Sequence, residues 1–237
     1  MQAKTFGSPY GLLLLAGIAV SLVFWSRLAR RDERLLIIYV AALVSAFLGA
    51  KLVYLAAEGW MFWNSPDRWM IWATGKTILG ALLGGYAGVE LAKKALGYRA
   101  ATGDFFAIVA PVGIILGRVG CLLHGCCLGE VCAPHWWTLR DAQGLARWPA
   151  VPVEIGFNVV ALAVTLILRR RGMLPGQHFH LYLIGYGLFR FAHEFLRATP
   201  RLGGGITGYQ VAALGVVVLG VLGFVRRRGL ARAGLLV

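Results

Sequence analysis

The chain has 237 residues, of which 59% are hydrophobic and only 14% charged, and its mean hydropathy is +0.71. An ordinary soluble domain is excluded, because its surface needs about a quarter of its residues charged. The net charge of +14 would suit a nucleic-acid binder in a soluble protein. Here the Lys and Arg residues cluster at the ends of apolar runs, the pattern that orients membrane proteins, so no nucleic-acid partner is expected.

In chain order, apolar windows run over 10–26, 35–57, 69–92, 104–123, 152–168, 179–197 and 206–225. Each is near the ~20 helical residues that cross a ~30 Å hydrocarbon core. The runs are continuously apolar rather than alternating, which excludes a β-barrel. The first run is not read as a signal peptide, because its basic cluster (RLARRDER) follows it and no small-residue cleavage pattern ends it. The expectation is an all-α integral membrane protein, a single transmembrane domain over 1–237 with about seven transmembrane helices.

Orientation follows from the basic residues. One set of loops holds Arg27, Arg30, Arg31, Arg34, Lys93, Lys94, Arg99, Arg169, Arg170, Arg171, Arg226, Arg227, Arg228 and Arg232. The other holds only Lys4, Arg68, Arg140, Arg147, Arg197 and Arg201. The positive-inside rule then places the N-terminus outside and the C-terminus in the cytoplasm. The longest connection, about 124–151, falls on the outer side and is expected to form an ordered cap. Trp60, Trp63, Trp69, Trp136 and Trp148 at span ends suit an interfacial belt.

Four cations remain within or at the edges of spans: Lys51, Lys76, Arg118 and Arg190. An ionised side chain there costs ~2.5–3.5 kcal/mol on insertion scales, so each needs a partner, a water-filled cavity or a ligand. Snorkelling along its own helix is the plain reading for Lys51 and an equal alternative for Lys76. Arg118 sits in LGRVGCLLHG, where glycines on both sides permit close backbone approach. Arg190 sits in IGYGLFRFAHEF with Glu194 at i+4, so a helical ion pair is one reading. A guanidinium fork also suits bidentate binding of a phosphate, and the abundant phosphate of a bilayer is a lipid headgroup. Tyr186, His193, Glu194, Glu154, Asn158 and His124 fall in the same outer half. A carboxylate and an imidazole beside arginines suit proton transfer, although His193 alone reads first as a packing residue.

Cys121, Cys126, Cys127 and Cys132 follow a C-x4-C-C-x4-C spacing with His124 between, which is not a zinc-finger pattern. Disulfides, free thiols, metal ligation and redox work all stay open. Arg118 is close enough in sequence to Cys121 and Cys126 to lower a thiol pKa.

Three segments carry a resemblance. GRVGCLLHGCCLG (117–129) resembles the signature G-R-x-G-N-F-x-N-G-E-x-x-G of the prolipoprotein diacylglyceryl transferase family. GYGLFRFAHEFLR (185–197) resembles that family's G-Y-G-x-x-R-F-x-x-E-x-x-R segment, and GKTILGALLGG (75–85) its G-x-x-x-H-G-G-x-x-G stretch. The resemblance covers about 35–228. It implies that Arg118 and Arg190 hold the phosphate of phosphatidylglycerol, with Tyr186, Glu194, Glu154, Gly117 and Gly120 as further substrate-binding positions. The implied reaction moves a diacylglyceryl group from that lipid to the cysteine thiol of a prolipoprotein, presented on its signal peptide, at the bacterial inner membrane. Arginine stabilisation of the departing phosphate needs no metal, and no cofactor is expected.

This chain departs from the pattern at several polar positions. Leu79 stands where the family has histidine, Cys121 and His124 where it has asparagines, and Cys126 where it has glutamate. WPAVPV (148–153) replaces H-P-S-Q-L-Y. His124 or one of Cys121, Cys126 and Cys127 is therefore expected to serve the acceptor side, with His124 and Cys126 as catalytic residues beside Arg118 and Arg190. The alternatives are a thiol/disulfide or metal-dependent membrane oxidoreductase on the same scaffold, and a non-catalytic phospholipid-binding protein.

Overall fold

The computed structural model describes residues 9–30, 32–202 and 204–232, so Lys4 and Arg31 of the orientation argument lie outside the described residues. The described chain is mostly helical. Its elements are α1 (Pro9–Ala29), α2 (Arg34–Ala57), a 3₁₀ turn (Gly59–Phe62), α3 (Arg68–Thr74), α4 (Ile78–Ala95) and α5 (Gly103–His124). A two-stranded hairpin, β1 (Leu139–Arg140) and β2 (Ala146–Arg147), precedes α6 (Ala150–Arg170) and α7 (His178–His193). A second 3₁₀ turn (Glu194–Leu196) and α8 (Gly208–Arg232) complete the order.

Among the described residues, four helices are long and apolar enough to cross a membrane: α2, α5, α6 and the Gly208–Gly229 stretch of α8. Their backbone polar groups are bonded within the helix, as a lipid environment demands. Large apolar side chains such as Phe47, Leu52, Leu123, Val160, Val218 and Leu222 remain exposed. An aqueous surface would not tolerate so many, whereas lipid tails would accept them.

Two predicted spans differ from expectation. The run at 69–92 is not one helix: it stops at Thr74 and restarts at Ile78, with Gly75 in an extended conformation. The run at 179–197 stays α-helical only to His193 and tightens into the 3₁₀ turn at Glu194.

Packing divides the chain into two compact units. The first comprises 1–23, 102–179 and 192–199, and the second 24–101, 180–191 and 200–237. In the second unit α2 packs along α4, and glycines set how close they come. A Cβ on Gly84 would lie 2.9 Å from Gly49 Cα, and one on Gly80 would lie 2.8 Å from the Gly49 carbonyl carbon. Small residues at such a crossing let backbones approach, which is how apolar helices associate without a hydrophobic driving force. Ile38, Tyr39, Leu79, Leu183, Tyr186 and Val216 fill the interior of this unit.

The broken span is held from α2. Lys51 Nζ donates to the carbonyl oxygens of Trp72 (2.7 Å), Ala73 and Gly75 (2.7 Å). These carbonyls end α3 and lack helical partners because the helix stops there. Thr77 N–H donates to Ala50 O (3.2 Å), and the Tyr54 ring occupies the space a side chain on Gly75 would need. Lys51 therefore does not snorkel: it caps the end of a neighbouring helix.

In the first unit α5 packs along α6, with Ala107, Ala150 and Val151 fully buried. The 124–151 connection is tied by backbone hydrogen bonds. Glu130 N–H donates to Leu196 O (3.0 Å), Trp148 N–H to Glu130 O (2.9 Å) and Cys132 N–H to Ala146 O (3.0 Å). Asp141 closes the hairpin turn by accepting from the backbone of Gln143 (3.0 Å) and Leu145 (2.9 Å) and from Arg147 Nε (2.8 Å). Gly129 N–H donates to Trp148 O (3.1 Å). A Cβ on Gly129 would sit 2.6 Å from Trp148 Cβ, so the cap needs glycine there.

Candidate active site

Within the first unit, α5, α6 and the 3₁₀ turn after α7 deliver four charged side chains to one buried cluster. Arg118 projects from the penultimate turn of α5 and Glu154 from the first turns of α6. Arg118 Nη2 lies 3.2 Å from Glu154 Oε1 and 2.9 Å from Oε2. Arg197 Nη1 approaches the same Oε2 at 3.6 Å, while its Nε lies 3.7 Å from Glu194 Oε2. Thr199 Oγ1 donates to Glu194 Oε1 (2.7 Å). Both carboxylates are almost completely buried, and both arginines are buried as well.

Two guanidiniums against two carboxylates leave this cluster neutral, which is how ions persist away from water. Glu154 faces two arginines and has no solvent exposure. Its two oxygens meet Arg118 at 3.2 and 2.9 Å and Arg197 at 3.6 Å, so both guanidiniums are held against it. Asn158 Nδ2 donates to the Glu154 backbone carbonyl one turn earlier (2.8 Å).

Arg197 is a further correction. Counted by sequence among the exposed outer-loop charges, it is buried and bridges Glu154 and Glu194. The signal was available, since Arg197 is the final arginine of the GYGLFRFAHEFLR segment.

Trp148 is likewise structural rather than only interfacial. Its Nε1 donates to His193 Nε2 (3.1 Å), and its ring packs edge-on against Trp137 at 5.3 Å. His193 is buried and bonded, the packing role its sequence context suggests. Trp60, Trp63, Trp69 and Trp136 remain exposed, consistent with a belt.

Next to Arg118 stands a group of thiols. Arg118 Nη1 is 4.0 Å from Cys121 Sγ. The sulfurs of Cys121, Cys126 and Cys127 all lie within 4.8 Å of one another, and the four cysteines are free thiols. A helix C-cap makes this cluster. Gly125 adopts φ +66°, its N–H donates to Leu122 O (3.1 Å), and Cys126 N–H donates to Cys121 O (3.1 Å). This is the Schellman arrangement, which turns the chain back so that the residue after glycine meets the last helical turn. Apolar side chains commonly meet there; in this chain two thiols do. Cys127 follows at φ +62°, a conformation that costs a non-glycine residue energy and that clusters at functional sites.

The sulfurs are chemically unequal. Hydrogen bonds from Cys121 and Cys126, aided by the charges of Arg118 and Arg197, hold the Cys127 thiol below the ordinary cysteine range. Bonding to Cys121 and Cys127, with burial, pushes Cys126 up. His124 ends α5 exposed and is not one of this group. Gly117 does not mediate the close approach expected beside Arg118, since a Cβ there would meet nothing within 4 Å; Gly120 is buried.

Arg190 and Tyr186 belong to the second unit, on α7. Arg190 is buried. Tyr186 is fully buried, with its ring stacked on Tyr182 at 5.8 Å and tilted against Phe189 at 6.3 Å.

Membrane-length helices enclosing buried, mutually compensated charges define a helical membrane protein with a built polar site. The family model for prolipoprotein diacylglyceryl transferase matches residues 8–226, and the chain belongs to that family. Among similar curated proteins is a phosphatidylglycerol–prolipoprotein diacylglyceryl transferase of Dehalococcoides mccartyi, 28% identical, covering 92% of this chain and 88% of the relative. The enzyme of the same name from Symbiobacterium thermophilum is 30% identical over 91% of this chain and 85% of its own length. A second such transferase of Clostridium perfringens is 28% identical over 90% and 88%.

Proposed function

We propose that this protein transfers the diacylglyceryl group of phosphatidylglycerol, or of a related phospholipid, to a thiol, by default the cysteine of a prolipoprotein held by its signal peptide. The protein works in the bacterial inner membrane, crossing it about seven times with its N-terminus outside. The observation that carries the reading is the buried Arg118–Glu154–Arg197–Glu194 cluster, built on the two motifs that resemble the family.

Phosphodiester oxygens gain negative charge as the carbon–oxygen bond breaks. A guanidinium already fixed by a buried carboxylate stabilises that charge without reorganising. Arg118 has this role, and Arg190, the arginine of the second motif, is assigned to donor binding from the resemblance of that motif. Glu154, Glu194 and Arg197 position, while Tyr186, Gly117 and Gly120 shape the lipid's surroundings. The acceptor side falls to Cys126 and its thiol neighbours, with exposed His124 as the nearby imidazole.

The test is purified protein in liposomes carrying labelled phosphatidylglycerol and a prolipoprotein peptide. Release of glycerol phosphate with a matching gain in peptide mass is expected. Arg118→Lys keeps the charge but loses the fork, and should lower the rate by about 10²–10³, the usual cost of one oxyanion-stabilising donor. Wild-type protein that folds but releases no glycerol phosphate would overturn the proposal in favour of lipid binding without turnover.

A further inference from the structure

The thiol cluster has the dimensions of a metal site. Zinc–thiolate bonds of about 2.3 Å in a tetrahedral site put neighbouring sulfurs ~3.8 Å apart. Cys126 and Cys127 Sγ are 3.7 Å apart, and all three sulfurs fall within 4.8 Å. One ligand comes from a helix end and two from the turn that caps it, so the backbone fixes all three. The nearest cation is the Arg118 guanidinium, whose Nη1 lies 4.0 Å from Cys121 Sγ. Cys121 is buried while Cys127 is exposed, so the cluster has a closed inner side and an open outer one. Three protein ligands plus one open position is the pattern of a zinc ion that acts on substrate, as opposed to the closed four-ligand structural site.

We propose that Cys121, Cys126 and Cys127 hold one zinc ion whose fourth position receives the acceptor thiol. This second clause rests on the transferase reading above. Two of the three sulfurs, those of Cys121 and Cys126, stand at an asparagine and the glutamate position of the resembling pattern. A thiol that coordinates zinc is deprotonated outright. In the proposed step the acceptor S–H displaces a water from zinc and its proton passes to solvent. The sulfur electron pair then attacks the diacylglyceryl carbon bound to the phosphate oxygen. The C–S bond forms as that C–O bond breaks, and glycerol phosphate departs with the bonding pair. The thioether, a weak ligand, leaves zinc and water returns. No electrons are exchanged with an outside reagent.

The experiment uses the full-length protein in detergent under reducing, oxygen-free conditions, titrated with Co²⁺ as a spectroscopic stand-in for zinc. One Co²⁺ per chain with an intense sulfur-to-metal charge-transfer band is expected. Cys126→Ser and Cys127→Ser should weaken binding at least tenfold and bleach the band, whereas Cys132→Ser should keep it. A cysteine-containing acceptor peptide should shift the band and its serine version should not. Chelation should slow peptide modification at least tenfold, with zinc restoring it. No band in protein that still releases glycerol phosphate overturns the metal site and leaves the transferase reading standing. A band indifferent to the peptide, with transfer unaffected by chelation, overturns the acceptor role. A normal band in protein without any transfer removes the transferase reading and the acceptor role with it.

Discussion

The two units place cations among apolar helices in different ways. In the first unit, Arg118 and Arg197 face Glu154 from another helix, and Arg197 also faces Glu194 of its own turn. In the second, Lys51 faces no carboxylate and is satisfied by three backbone carbonyls at the end of α3. A point charge with three donors suits a fan of helix-end carbonyls, whereas a planar fork suits carboxylate or phosphate. The lysine completes a broken helix and its work is then done. The arginine is held by a carboxylate from another helix, the partner its fork suits. An intramembrane cation is therefore informative through the kind of partner that holds it, more than through its mere presence.

The strongest way to break that comparison is Glu154→Gln. This change keeps volume and hydrogen bonding but leaves Arg118 and Arg197 buried against a neutral amide. Removing one partner of a buried ion pair costs about 3–5 kcal/mol. A large fall in the thermal midpoint in detergent is expected, together with a loss of kcat beyond what unfolding explains. If the variant is as stable as wild type, Glu154 is not the counter-charge of the cluster.

Lys51→Met should cost less, about 1–3 kcal/mol for stranded carbonyl acceptors. The transfer rate per folded molecule should stay unchanged, because Lys51 acts on helix ends. Tm and single-turnover rate, measured on the same preparation, separate the two outcomes. A normal Tm with a lost rate would give Lys51 the function here reserved for Arg118, and the contrast between the units would collapse.

What was legible in the sequence divides along similar lines. Continuous apolar runs and their flanking charges marked α2, α5, α6 and α8, because spanning length is a local property. Arg118 and Glu194 stand out in their motifs and Glu154 at the start of its apolar run, but their meeting in one cluster does not show in the sequence. Arg197 was misread because a positive residue past an apolar run looks like a loop charge. Its burial against Glu154, on another helix, and Glu194, three residues before it, shows otherwise. Lys51 failed for the same reason, since its acceptors lie 21–24 residues away. The break at Gly75–Lys76–Thr77 is hidden in the average of an apolar window. The sulfur cluster was visible as composition, but its grouping depends on the turn at Gly125.

The smallest effect tests the hairpin of the 124–151 connection, where the Asp141–Arg147 ion pair lies outside the long helices. Asp141 accepts from the Gln143 and Leu145 amides and from Arg147 Nε. The Arg147 bond holds its carboxyl below the ordinary range. A depressed acid stabilises the fold above the ordinary carboxylate pKa of about 3.9 and loses that contribution as pH falls through its folded value. Amide exchange at Gln143 and Leu145, corrected for intrinsic pH dependence, should therefore stay slow through neutral pH and quicken only in acid below about pH 4. In Asp141→Asn it should be faster at neutral pH and nearly flat with pH, while the thermal midpoint of the helices barely moves. A midpoint loss as large as that of Glu154→Gln would mean that the cap supports the buried cluster. The contrast would then lie between membrane and cap rather than between the two units.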